Sequence, residues 1–142
     1  MHDKASGCTA CIDTPEVGPT QAALDARGWK LTHIFNTHHH SDHTGGNLAL
    51  KRLYNCVIVG PKADAERIPG IDQPVSDGER VKLGAAEALV LHTPGHTRGH
   101  CSYYFESAQA GAGGGGGAAG ALFCGDTLFS MGCGRLFEGS RT

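Results

Sequence analysis

The chain has 142 residues, with 12 Lys and Arg against 14 Asp and Glu, and a formal net charge of −2. This length suits one domain. The small net charge gives no electrostatic basis for binding nucleic acid or an acidic membrane, and no apolar run approaches the ~20 residues of a membrane span. We therefore expect neither a nucleic acid nor a membrane as a partner.

The amino terminus and the cysteines indicate an intracellular protein. The first seven residues contain no apolar stretch of the kind that a secretory signal requires. Cys56, Cys101 and Cys124 lie in apolar, strand-like segments, where a free cysteine serves as a small buried hydrophobic residue. We expect the cytoplasm, a reducing compartment, with a mitochondrion or plastid as the alternative if a targeting segment precedes Met1.

Apolar runs separated by Gly and Pro predict an alternation of strands and helices. Pro19 lies in the first turn of one predicted helix, and Gly28 directly follows its end. Predicted helices cover residues 19–27 and 48–54, with a short one at 62–67, and predicted strands cover residues 8–13, 31–37, 56–60, 80–83, 88–92, 101–105 and 121–124. The early β-α-β-α-β order followed by consecutive strands indicates an α/β fold of two stacked sheets with helices outside.

A Gly- and Ala-rich tract at about residues 108–119 separates the last two predicted strands. Its side chains are too small to bury enough area to offset the entropy of ordering them. A phosphate-binding loop would need a helix start with Lys and Ser or Thr after the glycines, and neither follows. We therefore expect a disordered insertion at a hairpin tip, inside one domain that covers residues 1–142.

Four side chains capable of binding metal fall within six residues at the end of the second predicted strand: His38, His40, Asp42 and His43. In extended backbone, residues two apart point to the same side, so His38 and His40 can hold one ion together. The chain must then turn, which would let Asp42 and His43 face a second ion beside the first. Imidazole and carboxylate without thiolate suit zinc, iron or manganese better than a structural zinc finger.

The spacing His-x-His-x-Asp-His resembles the hallmark of the metallo-β-lactamase superfamily. Residues 93–100 (TPGHTRGH) and 123–129 (FCGDTLF) resemble that family's second and third metal motifs. Residues 132–139 (GCGRLFEG) are similar to the corresponding run of the glyoxalase II family, the hydroxyacylglutathione hydrolases. The resemblance runs from about Asp13 to the last residue, and the Gly- and Ala-rich tract is its one break.

This resemblance implies a four-layer αβ/βα sandwich, incomplete here because the family opens with an extra strand and continues into a helical region. It also implies two divalent metal ions, the first held by His38, His40 and His96, and the second by Asp42 and His43. Asp126 would bridge both ions, because a carboxylate has two acceptor oxygens. The family supplies one more His from further downstream, so the second site is short of one ligand in this chain.

The resemblance further implies hydrolysis of a glutathione thioester, S-D-lactoylglutathione, to D-lactate and glutathione by a metal-bound hydroxide. Two adjacent cations lower the pKa of a shared water from about 15.7 toward ~7, so no Ser or Cys nucleophile is required, and Asp42 would orient the nucleophile. Arg135 would pair with a glycine carboxylate of the tripeptide, and Phe137 would pack on its stem. We expect a zinc-dependent monomer, with iron or manganese as alternative metals.

Two other functions and several supporting roles stay open. A persulfide dioxygenase is similar in fold but uses one iron, and those relatives lack the GCGRLFEG run. A non-catalytic metal-binding remnant is favoured by the missing ligand and the missing helical region. Among the other histidines, His39 alternates away from its two neighbours and is expected to pack or to support a ligand. His100 is expected to orient a ligand through a hydrogen bond.

Overall fold

A computed structural model describes residues 1–106 and 120–139. In these ranges the strands are β1 (Ala10–Ile12), β2 (His33–Phe35), β3 (Val57–Pro61), β4 (Gln73–Val75), β5 (Arg80–Leu83), β6 (Ala86–His92), β7 (Cys101–Phe105) and β8 (Ala121–Phe123). The helices are α1 (Val17–Asp25), α2 (Ser41–Thr44) and α3 (Asn47–Tyr54), with 3-10 helices at Lys62–Arg67 and Gly125–Thr127. The insertion predicted at about residues 108–119 lies outside the described residues.

The strands form two four-stranded sheets of different kinds. β1 to β4 pair in parallel in chain order, whereas β5 to β8 pair antiparallel, each with the next. The parallel strand β3 is buried along almost its whole length, as its apolar Val-Ile-Val run predicts. In the antiparallel strand β5 burial alternates, with Val81 and Leu83 inside and Arg80 and Lys82 outside.

Two apolar clusters hold the layers together. Consecutive residues of β2 point to opposite faces, so Phe35 packs between the sheets and Ile34 packs beneath the helices. The ring of Phe35 meets the rings of Tyr103 and Phe105 edge to face, with centroids 5.3 and 6.1 Å apart. Helix α1 contributes Leu24 to the second cluster, which continues through residues Leu31, Leu50, Cys56, Ile58 and Ile68.

The described residues therefore form three layers, namely helices, a parallel sheet and an antiparallel sheet. The predicted α/β fold of two stacked sheets with helices outside is confirmed. The sequence did not predict β4, because three residues with Pro74 at their centre carry little strand signal. Pro is tolerated there because β4 is an edge strand. Within residues 1–106 and 120–139, no helix has the length and apolar character needed to cross a bilayer.

Phe35→Ala is expected to lower the free energy of unfolding by about 3–5 kcal/mol, because it leaves a cavity between the sheets. Leu53→Ala is the matched control, since Leu53 is 57% exposed on helix α3 and its loss should cost about 0.5 kcal/mol or less. Urea unfolding followed by circular dichroism measures both. Equal destabilisation by the two variants would contradict the assignment of Phe35 to the inter-sheet core.

Candidate metal centre

The histidine-rich segments meet at one edge of the two sheets. The parallel strands β1, β2 and β3 all end at this edge, and the segments after them carry Asp13, residues 38–43 and Asp64. In the antiparallel sheet β6 and β8 end there and β7 begins there, which brings in residues 96–100 and 125–127. The backbone N–H of Cys101 donates to Thr37 O at 2.9 Å and joins the two sheets at this point.

The first group that could hold a metal ion consists of His38, His40 and His96. Nδ1 of His40 lies 3.1 Å from Nε2 of His38 and 2.9 Å from Nε2 of His96. His38 is fully buried and His96 is 7% exposed. The structure therefore brings residues from two sheets, 56 positions apart in sequence, into one cluster.

The second group shares His38 with the first and adds His43 and Asp126. One carboxylate oxygen of Asp126 lies 3.3 Å from Nε2 of His43, and the other lies 3.2 Å from Nε2 of His96. The two oxygens of one carboxylate thus face histidines of different groups. This is the placement that a carboxylate shared between two adjacent ions would need.

Asp42 is not drawn into either group. Its Oδ2 lies 3.8 Å from Nε2 of His43, and 76% of its side chain is exposed. The reason is local, because residues 41–44 form the one-turn helix α2, which directs His43 inward and leaves Asp42 at the solvent edge.

Three of the rings are oriented by oxygen acceptors on their outer nitrogens. Nδ1–H of His43 donates to Asp13 Oδ2 at 2.8 Å, and Nδ1–H of His96 donates to the carbonyl of Arg135 at 2.8 Å. The hydroxyl of Thr37 donates to Asp13 Oδ2, so its oxygen accepts from Nδ1–H of His38 at 3.0 Å. In each ring the inner nitrogen, Nε2, keeps its lone pair.

Asp13 is a functional residue that the sequence reasoning missed. It follows β1 directly, adopts a left-handed backbone with φ of 54°, and also accepts the N–H of Thr37 at 2.8 Å. In the structure it follows a strand parallel to β2 and so shares an edge with His38 and His43. Without a predicted strand order, that shared edge could not be deduced.

The loop that carries Asp126 is held by His100, which is fully buried. The backbone N–H of Asp126 donates to Nε2 of His100 at 3.1 Å, while Nδ1 of that ring faces the Thr93 hydroxyl at 2.9 Å. Gly125 has φ of +49°, and a β-carbon there would meet Thr37 and the His100 ring. The sequence predicted a hydrogen bond of this kind for His100, and the glycine makes room for it.

Helix α2 reaches the cluster because two glycines follow it. The N–H of Gly46 donates to Thr14 O at 2.7 Å, and the N–H of Thr14 donates to His43 O at 2.8 Å. A β-carbon on Gly45 would stand 2.7 Å from the carbonyl oxygen of Pro15. The Gly-Gly pair thus allows the backbone just after β1, at residues 14–15, to touch α2 and the turn that follows it, which fixes where His43 points.

Burial keeps the deepest imidazoles neutral, the form that binds metal. Desolvation lowers the pKa of His38 to about 2 and that of His100 to about 4, with further lowering by neighbouring histidines. For His43, burial alone would lower the pKa, but the hydrogen bond and the charge of Asp13 raise it above its usual value. Asp13 therefore also increases the basicity of the ring it orients.

The two groups together, here called the donor set, consist of His38, His40, His43, His96 and Asp126, and their chemistry fits a divalent cation. Nε2 of His38 and Nε2 of His96 both face Nδ1 of His40, and one proton on that nitrogen could satisfy only one of them. Lone pairs that converge beside a carboxylate repel one another, and a cation among them removes the repulsion. Nitrogen and oxygen donors without thiolate suit zinc, iron or manganese.

Residues 132–139, here called the signature loop, lie over this cluster. The ring of Phe137 is edge to face with the rings of His40 and His96, at centroid distances of 5.6 and 5.2 Å. Phe137 is 61% exposed and the side chain of Arg135 faces solvent, whereas the Arg135 carbonyl points inward to His96. The loop therefore offers an aromatic face and a cation next to the donor set.

Comparisons with known proteins agree with this geometry. The family model of the metallo-beta-lactamase superfamily matches residues 12–140. A hydroxyacylglutathione hydrolase of Methylococcus capsulatus is 53% identical over 99% of this chain and 50% of its own length. A second, from Rhodospirillum rubrum, is 53% identical over 96% of this chain and 49% of its own length. The chain thus spans about half the length of these curated relatives.

Solved structures show the same fold. ETHE1 from Myxococcus xanthus superposes with a TM-score of 0.74 at 27% identity, over 95% of this chain and 54% of that one. A metallo-beta-lactamase from Staphylococcus aureus gives a TM-score of 0.77 at 26% identity, over 94% of this chain and 40% of that one. Given these matches and the clustered histidines, which indicate divalent metal binding, the chain belongs to the metallo-β-lactamase superfamily.

Proposed function

We propose that the protein hydrolyses a glutathione thioester, S-D-lactoylglutathione, to D-lactate and glutathione. The observation that carries the proposal is the position of the signature loop, whose Phe137 ring packs against two histidines of the donor set. The relatives that are 53% identical to this chain, over the half of their length that it matches, are named hydroxyacylglutathione hydrolases. We further propose a cytoplasmic monomer, and the cysteines, all six of them free, suit a reducing compartment.

The ligands are assigned to two zinc ions, with iron or manganese as alternatives. One ion would be held by the three histidines of the first group together with Asp126. The second would be held by His43, Asp42 and Asp126, and it would be the weaker site because it has fewer ligands. When bound, such ions polarise a thioester carbonyl and lower the pKa of water enough for it to attack at neutral pH.

The protein's own side chains then hold and orient the reactants. Asp42, exposed beside His43, orients the attacking water. The Arg135 guanidinium pairs with a carboxylate of the tripeptide, and Phe137 covers its stem. A carbon–oxygen bond forms as the carbon–sulfur bond breaks, and the sulfur leaves as a thiolate that needs little help from an acid.

The cysteines are poorly suited to act as the nucleophile. Burial raises the pKa of Cys101 to about 12, so this thiol stays protonated at neutral pH. Cys124 donates its S–H to the carbonyl of Leu128 at 3.3 Å. Cys133 is exposed on the signature loop between two glycines, where it serves as a tight-turn residue. Attack by water accords with these surroundings better than attack by a thiol.

His40→Ala is expected to abolish tight zinc binding and the rise in melting temperature that zinc produces. Zinc at 100 times its Kd should stabilise the parent by about 2.7 kcal/mol, or roughly 5–10 °C for a domain of this size. His92→Ala is the matched control, because that exposed ring donates to the Arg98 carbonyl, outside the donor set. If zinc raised the melting temperature of His40→Ala as much as that of His92→Ala, the ligand assignment would be refuted.

The first ion is expected to bind more tightly than the second, because four side chains are assigned to it and three to the other. Stepwise removal by chelators of increasing strength, with metal content measured at each step, should give two distinct affinities. Asp42→Asn should weaken only the second ion. Two ions of equal affinity in the parent would contradict the unequal sites.

Thiol release from S-D-lactoylglutathione by the metal-loaded chain tests the activity. Weak turnover is expected, rising when the chain is joined to the second half of a relative. In the joined protein Arg135→Ala should raise KM about tenfold with little change in kcat, because the carboxylate is bound alike in ground and transition states. Arg80→Ala, on the antiparallel sheet, is the control.

The same assay separates the alternative functions. Arg135→Ala should leave the hydrolysis of a simple acetyl thioester unchanged, because that substrate lacks the tripeptide. Oxygen consumption with a glutathione persulfide would instead indicate a mono-iron dioxygenase. Bound metal without turnover of either substrate, in the chain and in the joined protein, would indicate a non-catalytic remnant.

A further inference from the structure

A buried carboxylate beside the metal centre has no role in the proposed reaction. The side chain of Asp64 is fully buried and accepts three hydrogen bonds. The donors are Nδ1 of His39 at 2.9 Å, the hydroxyl of Thr97 at 3.0 Å and the guanidinium of Arg67 at 2.6 Å. A β-carbon on Gly99 would collide with this carboxylate, so the chain leaves space for it.

These donors belong to the segments that carry the candidate metal ligands. His39 lies between His38 and His40 and is 25 positions from Asp64, and Thr97 directly follows His96 and is 33 positions away. One carboxylate, in the 3-10 helix that follows β3, therefore ties the ligand segment of the parallel sheet to that of the antiparallel sheet.

Arg67 extends the connection to the signature loop. Nη2 of its guanidinium donates both to Asp64 and to Oε2 of Glu138, the latter at 3.1 Å. Nη1 donates to the other oxygen of the Glu138 carboxylate. Oε2 of Glu138 also accepts the backbone N–H of Arg98 at 2.9 Å. Glu138 is only 20% exposed, although its neighbours Leu136 and Phe137 are 57% and 61% exposed.

Both carboxylates stay ionised at neutral pH. Burial alone would raise the pKa of Asp64, but the hydrogen bonds from His39, Arg67 and Thr97 bring it below its usual value. The hydrogen bond from Arg67, with that from Arg98, lowers the pKa of Glu138 to about 2. The Arg67 guanidinium thus bridges two negative charges, one buried under the metal centre and one on the loop above it.

We propose that Asp64 and Arg67 are positioning residues that fix the signature loop above the metal centre. Arg67 holds the loop through Glu138, and Asp64 anchors Arg67 to the two ligand segments. The backbone contacts of the loop lie near its ends and middle, at Gly132, Gly134, Arg135 and Gly139. Among the described residues of the loop, Glu138 supplies the charged side-chain contact, which sets where Phe137 and Arg135 stand.

Hydrogen–deuterium exchange of the metal-loaded full chain tests this role. Arg67→Met should make the amides of residues 134–139 exchange roughly tenfold faster, because hydrogen bonds to a charged group are lost. The amides of β6 and β7 should be unaffected. Arg80→Met is the matched control, since Arg80 also pairs with glutamates, Glu87 and Glu106, but away from the centre.

Metal affinity separates positioning from a general loss of structure. Arg67→Met should keep the Kd of the first zinc ion within about threefold, because no donor-set residue is removed. If Arg67→Met proves unfolded, Glu138→Gln removes the same ion pair from the loop side and should give the same local exchange. The proposal would be overturned if the amides of residues 134–139 exchanged at the parent's rate in either variant. It would also be overturned if Arg80→Met accelerated the exchange of these amides as much as Arg67→Met does.

A kinetic arm rests on the proposed function and is independent of the exchange result. In a protein that turns over lactoylglutathione, Arg67→Met should raise KM at least fivefold more than it lowers kcat, and Arg67→Lys should restore part of the loss. If Arg67→Met raised KM and lowered kcat by equal factors, for both lactoylglutathione and an acetyl thioester, Arg67 would not act through substrate positioning. Because exchange needs no substrate, an inactive protein still tests the loop contact.

Discussion

The carboxylate of Asp13 accepts three hydrogen bonds, and the geometry of the metal centre depends on them. It takes the backbone N–H and the hydroxyl of Thr37 and the Nδ1–H of His43. Because the Thr37 hydroxyl proton is committed to Asp13, the hydroxyl oxygen must accept from His38. One carboxylate therefore sets the tautomers of two imidazoles and aims both lone pairs at the same place.

Packing between the sheets determines how far apart the two halves of the donor set lie. Phe35 meets Tyr103 edge to face in the core, directly below the segment that carries His38. The Tyr103 hydroxyl donates to the carbonyl of Asn36 at 2.8 Å, and the N–H of Cys101 donates to the next carbonyl, that of Thr37. The antiparallel sheet is thus attached at two consecutive carbonyls that directly follow β2, just before the histidines begin. This explains how residues from separate sheets approach within hydrogen-bonding distance.

The sequence predicted most of what depends on local pattern. Strands β5 and β7 fall on the predicted residues, since an alternating run and an aromatic-rich run each predict a strand directly. The spacing of His38 and His40 predicted that the two would face one site, and the structure brings them together. The roles of two carboxylates were not predicted. Asp13 and Asp64 accept hydrogen bonds from histidines about 25 or more positions away, and neither lies in a local motif. Such contacts require the strand order, which hydrophobic periodicity does not reveal.

The surroundings of the centre combine a polar interior with an apolar rim. The donor set is largely buried and hydrogen-bonded, yet the signature loop exposes Leu136 and Phe137 to solvent beside it. These two side chains are too exposed to stabilise the fold, but the Phe137 ring contacts two histidines of the set. A bound molecule that covered them would exclude water and reduce the effective dielectric constant over the donor set. Charges on such a molecule would then interact more strongly with the site than they do in the open protein. The position of the rim, which depends on the signature loop, therefore bears on the strength of the chemistry as well as on affinity.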